Sequence, residues 1–378
     1  MSSEHVRALR NDAIEYRKEE RAMNIGLIGL PNSGKTTIFN ALTRSQAQVT
    51  GYANTKMEPN IAILEVADDR VKNLSDMYQP QKTTYASIEL MDFVGMTQGS
   101  AREGLFSSKS MGLIKNTDAL AIVVGNFQED LVESPAPHRD IEKIDDELLI
   151  SDLIIAENRL ERIEKAYRRG KKTNLLELEE KLLLRIIEHL NSSQPIRKME
   201  LEGESEKMIR GFQFLTQKPV MVILNSDEGL FGKNQDLVKR IGERYRVIEF
   251  AGKFEMELSQ LNDPEDMELF MADMGIQESA RDRLCYAAYE LLGYISFFTV
   301  GSDEVRAWSI HQGETALDAA GTIHSDLARG FIRAECITYD DLLDCGSEKG
   351  VGEKGLLRLE GKKYIVQDGN ILNIRFNV

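Results

Sequence analysis

Apolar residues in the first third of the chain fall in short runs separated by helix-like stretches. Residues 24–28, 61–66, 88–91 and 119–124 read as strands, each a run of strand length bounded by polar or turn-forming residues. This rhythm predicts a mostly parallel α/β sheet. Pro135 and Pro137 then break it. From Ile141 to Leu190 the chain becomes rich in Glu, Lys, Arg, Leu and Ile, and Leu153, Leu160, Ile163 and Tyr167 keep a helical spacing. A turn at Arg168-Arg169-Gly170-Lys171-Lys172, followed by Leu175, Leu178, Leu182 and Ile186, predicts an antiparallel helical hairpin with a basic tip. Strands resume at 219–224 and 247–250, and a helical stretch leads to Tyr294. Beyond Ser296, rising glycine content with strands at 363–366 and 371–376 predicts a small α+β domain.

The expected organisation is an extension over residues 1–22, an α/β domain in two pieces (23–138 and 200–294), a helical insertion over 139–199 and a C-terminal domain over 295–378. The extension is either a charged helix or the product of a start codon placed ahead of Met23. With 378 residues and 42% hydrophobic content, the chain is long enough to bury more than one core. A net charge of -15 argues against non-specific coating of nucleic acid, so any such contact needs a local basic patch, for which the hairpin tip is the candidate. Cys285, Cys336 and Cys345 match neither a zinc spacing nor a disulfide framework, which fits a reducing compartment and no disulfide partner. His311 and His324 lack metal-spaced partners and read as structural. No stretch approaches a membrane span and residues 1–22 lack the apolar core of a secretory signal, so a cytoplasmic location without membrane partners is expected.

The candidate chemistry starts at Gly29-Leu30-Pro31-Asn32-Ser33-Gly34-Lys35-Thr36, which fills every fixed position of a phosphate-binding P-loop between a strand and an amphipathic helix. In such a loop backbone N–H groups converge on the phosphates, Lys35 reaches the β- and γ-phosphates, and the Thr36 hydroxyl ligates Mg²⁺. Asn32, Ser33, Gly34 and Thr37 complete the expected nucleotide contacts. Asp92-Phe93-Val94-Gly95 ends an apolar strand, where Asp92 is suited to hold Mg²⁺ through its water shell and the Gly95 N–H to sense a γ-phosphate. Met96 follows, and its side chain cannot orient an attacking water. At the end of the later strand, Asn225-Ser226-Asp227-Glu228 stands where guanine-binding switches carry Asn-Lys-x-Asp. Glu228 displaces the base acceptor by about one methylene, and unpaired groups in a buried site cost roughly 1–3 kcal/mol, so guanine selectivity should be weakened.

The Gly-Leu-Pro-Asn start of the P-loop, the Asn-x-x-Glu base element and Ala251-Gly252-Lys253 resemble the Obg-like ATPases of the YchF subfamily. The C-terminal runs Glu304-Val305-Arg306-Ala307-Trp308, Ala319-Ala320-Gly321-Thr322-Ile323-His324, Arg329-Gly330-Phe331-Ile332-Arg333-Ala334-Glu335 and Val366-Gln367-Asp368-Gly369 resemble the TGS domain of that family. The resemblance implies a P-loop NTPase that prefers ATP and takes GTP less well, with Mg²⁺, a β-grasp TGS domain and ribosome or ribosomal RNA partners. It places Ala251 and Gly252 beside the base, and it makes Asn32 the candidate contact for an activating K⁺.

Some positions depart from the family. Lys56 stands where the family has its Mg²⁺-binding threonine, and Thr55 substitutes for it only with a shifted loop. Ile122 occupies the place of a histidine proposed to assist hydrolysis, and the glycine-rich stretch becomes Arg102-Glu103-Gly104-Leu105-Phe106-Ser107-Ser108. These changes favour nucleotide binding over rapid turnover. A slow, K⁺-stimulated ATPase switch is the leading expectation, beside a non-hydrolysing nucleotide-binding scaffold and a GTPase proper.

Overall fold

Continuous apolar runs bury both faces of a strand, and the centre of the first sheet, residues 23–28, 119–126 and 220–226, is built from them. The computed structural model describes residues 23–43, 59–93, 108–128, 134–261 and 263–377. Its strands in the first two-thirds of the chain are β1 (Met23–Ile28), β2 (Asn60–Glu65), β3 (Lys82–Thr84), β4 (Ser87–Asp92), β5 (Ala119–Asn126), β6 (Val220–Ser226) and β7 (Arg246–Phe250). The last third carries β8 (Tyr294–Thr299), β9 (Glu304–His311), β10 (Phe331–Thr338), β11 (Arg358–Glu360) and β12 (Asn370–Phe376). One sheet has the order β2-β4-β1-β5-β6-β7, with β1–β5, β5–β6 and β6–β7 all parallel. Strand order reverses at β1, and an open α/β sheet binds ligands at the carboxyl ends of strands beside such a point. Ile28, Leu120, Ile122, Val124, Val222 and Leu224 form its buried core with Ile141, Ile144 and Leu148 of the helix Pro137–Arg168.

That helix is the first arm of the hairpin, and Asn174–Asn191 is the second, capped by the Thr173 hydroxyl, which accepts from the Leu176 N–H. The turn between them includes Gly170 at φ 76°. Ala156, Ile163, Leu182, Leu183, Ile186 and Leu190 form the seam, which also takes in Ile196, Ile209 and Phe214. The apolar register differs from the expected one at its start, since Leu175 and Leu178 are 65% and 55% exposed. Glu179 takes the buried position there, paired with the Arg159 guanidinium at 2.7 Å, and the apolar seam begins one turn later. Asp152, fully buried on the first arm, accepts the Leu215 and Thr216 backbone N–H groups at 2.9 and 2.7 Å and so ties the hairpin to the run entering β6.

Contacts divide the chain into two units, 24–64 with 89–287 and 65–88 with 288–378. In the second unit the sheet order is β11-β10-β12-β8-β9-β3, so a strand from the first quarter of the chain pairs in parallel with β9. The helix Asp69–Tyr78 belongs with it. Arg70 pairs with Asp368 at 2.6 Å and lies over the Phe298 ring, Asn73 donates to the Tyr339 hydroxyl at 2.8 Å, and Tyr78 donates to Glu348 at 2.8 Å. The pattern along the sequence assigns all of 23–138 to the P-loop domain, whereas 65–88 belongs by its contacts with the C-terminal sheet. Ala316–Ile323, opened by a Thr315/Asp318 capping box, packs Ala316, Ala319 and Ala320 against Phe297, Ile310, Leu372 and Ile374. Residues 363–366, expected as a strand, make one isolated bridge at Ile365 instead. The Lys362 and Tyr364 carbonyls accept from Leu317 and Ala316 N–H groups, so this segment serves a helix N-terminus. No helix among the described residues is long and apolar enough to cross a membrane.

Candidate nucleotide-binding site

The P-loop leaves the end of β1 and turns into the helix Lys35–Thr43. The loop needs two left-handed residues, which Asn32 (φ 63°) and Gly34 (φ 84°) supply; Asn is among the side chains that tolerate this region. Lys35 is only 8% exposed, which is rare for a lysine without a binding role. Its ammonium donates to the Gly29 and Leu30 carbonyls at 2.9 and 3.0 Å. An ammonium has three donors, so one N–H remains for a phosphate oxygen. Burial lowers the Lys35 pKa to about 8, opposed by the nearby Asp92 carboxylate. The Ser33 hydroxyl is buried with no hydrogen-bond partner among the described residues.

Asp92 sits at the end of β4, 2% exposed. Burial raises its pKa, while Lys35 and hydrogen bonds from Asn60 and Thr36 pull the other way; the Asn60 amide is 3.4 Å from Oδ2. Oδ1 is buried and without a partner among the described residues. A carboxylate with a spare buried oxygen, next to a threonine hydroxyl and an ammonium, is a donor set that suits a hard cation with oxygen ligands. Thr36 and Asp92 therefore fit Mg²⁺.

Asn225, buried at the end of β6, joins the P-loop to the start of the helix Gly252–Leu258. Its Nδ2 donates to the Ser33 carbonyl at 3.2 Å, and its Oδ1 accepts from the Gly252 N–H at 3.1 Å. Both neighbours must be glycine. A Cβ on Gly34 would lie 2.0 Å from Asn225 Nδ2, and one on Gly252 would lie 2.4 Å from Oδ1. Ser226 is turned to a different task. Its hydroxyl donates to Glu249 Oε1 at 2.6 Å and accepts from the Asn126 amide at 3.1 Å, with the Asn234 amide at 3.2 Å. The hydroxyl proton is thus committed to Glu249, and the shorter bonds of Asn234 to Glu249 and the Leu230 carbonyl use both of that amide's hydrogens, so Ser226 has no donor left for a nucleotide except its backbone N–H. Glu228 is exposed on the turn after β6, and its N–H donates to the Asp227 side chain at 2.9 Å. The Ala251 N–H donates to Glu255 at 2.9 Å, and Glu255 in turn pairs with Arg283.

The structure thus gathers Asn32, Ser33, Gly34, Lys35, Thr36 and Asp92 around one loop, and links them through Asn225 to Ala251 and Gly252. Thr37 lies in the first turn of the P-loop helix, half-buried. Gly95, Thr55, Lys56 and Met96 fall outside the described residues. Ile122 is fully buried in the sheet core, where it pairs with Ile28, and brings no polar atom to the site. Motif reading did not find Asn126, Asn234 and Glu249. Asn60 does carry a local signal, since the segment 54–60 ends in the Pro-Asn pair of the family.

A family model described as a 50S ribosome-binding GTPase matches residues 24–226, and the YchF-GTPase_C model, described as a protein of unknown function, matches residues 294–377. The "Ribosome-binding ATPase YchF" of Bacillus subtilis is 38% identical over 368 residues, covering 94% of this chain and 100% of that protein. Its namesake in Pasteurella multocida is 37% identical over 361 residues, covering 93% and 99%. Among solved structures, the Schizosaccharomyces pombe YchF GTPase superposes with a TM-score of 0.80 at 28% identity, covering 93% of this chain and 97% of that one.

Proposed function

The chain belongs to the YchF family, and from that premise we propose that it is an ATP-hydrolysing nucleotide switch that associates with ribosomes. The observation that carries the reading is Lys35, a buried ammonium with two P-loop carbonyls satisfied, one donor to spare and the Asp92 carboxylate nearby. Such a group is positioned to bind phosphate oxygens, and the convergent N–H groups of the loop add to it. Mg²⁺, when bound at Thr36 and Asp92, would neutralise charge on the β- and γ-phosphate oxygens. K⁺ beside Asn32 is a further proposed contact. On the base side, Asn225 fixes the floor, and Glu228 in place of an aspartate makes ATP the preferred substrate over GTP.

Turnover is slow in this reading, because the β5 position of Ile122 is apolar and sealed. Slow hydrolysis suits a switch, whose signal is the nucleotide that orders its loops. The relatives named as ribosome-binding motivate the partner, and the exposed basic turn at Arg168, Arg169, Lys171 and Lys172 is the surface proposed to meet ribosomal RNA. Phosphate release from ATP and from GTP, in KCl and in NaCl, tests the activity for wild type beside Lys35→Ala. K⁺-stimulated release from ATP that disappears in the variant supports the switch. Faster release from GTP would make the protein a GTPase, and ATP binding without release would make it a scaffold.

A further inference from the structure

We propose that Glu249, on β7 and outside every recognised motif, is the positioning residue that fixes the base-reading loop 227–234 and thereby sets discrimination between adenine and guanine nucleotides. The inference rests on the nucleotide-switch reading above and deepens it. Glu249 stands opposite Leu224 in the parallel β6–β7 register, one residue before Asn225. Its carboxylate gathers three donors. Oε1 accepts from the Ser226 hydroxyl and the Asn234 amide, each at 2.6 Å, and Oε2 accepts from the Gly232 N–H at 3.2 Å. Ser226 and Asn234 are the two ends of the loop that carries Glu228, so one carboxylate holds both ends and a point within it. The Asn234 amide also donates to the Leu230 carbonyl at 2.7 Å, which closes the loop on itself.

Glu249 reaches the second base element as well. Its own carbonyl accepts from Arg283 at 2.7 Å, and the same guanidinium pairs with Glu255, which receives the Ala251 N–H. The two segments that flank a base, 225–228 and 251–252, are therefore tied to one residue by hydrogen bonds. The phosphate loop meets this network only through the Asn225 side chain, which does not bond Glu249, while Lys35 is held by the Gly29 and Leu30 carbonyls. Removing the Glu249 carboxylate should free the exposed loop to water while leaving the phosphate cradle intact.

The test is calorimetric titration of wild type, Glu249→Ala and Glu249→Gln with ATP, GTP and inorganic tripolyphosphate in Mg²⁺, with thermal melting alongside. Loss of two or more loop hydrogen bonds should cost Glu249→Ala about tenfold or more in ATP affinity and bring the ATP and GTP affinities together, with tripolyphosphate binding unchanged. Glu249→Gln keeps an oxygen for Ser226 and Asn234 and loses only the Gly232 acceptor, so it should retain most of the preference. An unchanged ATP-to-GTP ratio in Glu249→Ala overturns the inference, as does a loss of tripolyphosphate binding in step with ATP, which would mark the residue as a general scaffold. Failure of wild type to bind ATP would instead sink the switch reading itself.

Discussion

Lys35 gives the site a measurable pH signature. Its pKa lies at about 8 rather than 10.5, so between those values the unfolded chain holds a proton that the folded chain has released. Stability contributed by this group therefore rises with pH across that window. Bound phosphate reverses the situation by stabilising the ammonium, so nucleotide binding should take up a proton above about pH 8 and weaken as pH climbs further. Titration calorimetry in buffers of different ionisation enthalpy reads this uptake directly, and Lys35→Met should abolish it. The neighbouring Gly34 makes a second test. Gly34→Ala combines φ 84° with a Cβ 2.0 Å from the Asn225 amide, so it should both melt early and lose nucleotide affinity. Gly170→Ala has a similar φ of 76° with nothing within 4 Å, and should cost only the backbone strain, about 1–2 kcal/mol, by urea denaturation. The P-loop was legible in the sequence because its geometry is carried by residue types adjacent in the chain. Glu249 was not, because its role depends on three donors brought to it by the pairing of β6 with β7.

The hairpin arms show how a helix can be read correctly while its register and anchoring are missed. Helical spacings of apolar residues mark both arms, and Gly170 among basic residues marks the turn. They gave no warning that Glu179 would be buried at the top of the seam, since the pairing guanidinium comes from Arg159 on the other arm. Asp152 was equally silent: one acidic residue in a charged helix reads as surface, yet it is fully buried and receives two backbone N–H groups. Asp152→Asn retains one oxygen and turns an amide NH₂ toward the other donor. It should destabilise the protein by about 1–3 kcal/mol, the cost of an unsatisfied buried donor. Chemical denaturation measures the loss, and hydrogen exchange at the Leu215 and Thr216 amides should localise it, with protection falling there before it falls in β5. The strand expected at 363–366 failed for a related reason, as the Tyr364 carbonyl and that of Lys362 just before the segment are claimed by the N-terminus of Ala316–Ile323.

The path of the chain through its two units has a consequence for dissecting the molecule. A cut near Gly293, where the C-terminal family match begins at 294, looks like a domain boundary. It is not clean, because 65–88 belongs by its contacts with 288–378. Removing 294–377 would strip β3 of its partner β9 and leave Arg70, Asn73 and Tyr78 without Asp368, Tyr339 and Glu348. It would also uncover Val71 and Leu74, both fully buried in the intact chain. A remnant with a bare apolar helix face is prone to self-association. The excursion can be removed as well, since the Val66 N–H donates to the Ala86 carbonyl at 2.8 Å and its two ends therefore meet. A short Gly-Ser linker in place of 67–85 should bridge them. Truncation after Gly293 alone should give a protein that binds hydrophobic dye and aggregates on warming, whereas the same truncation with 67–85 replaced should remain monodisperse and retain nucleotide binding through Lys35 and Asn225. Light scattering and nucleotide titration on the two proteins check this, and a simple truncation that stays monodisperse and binds no dye would mean that the excursion folds without the C-terminal sheet.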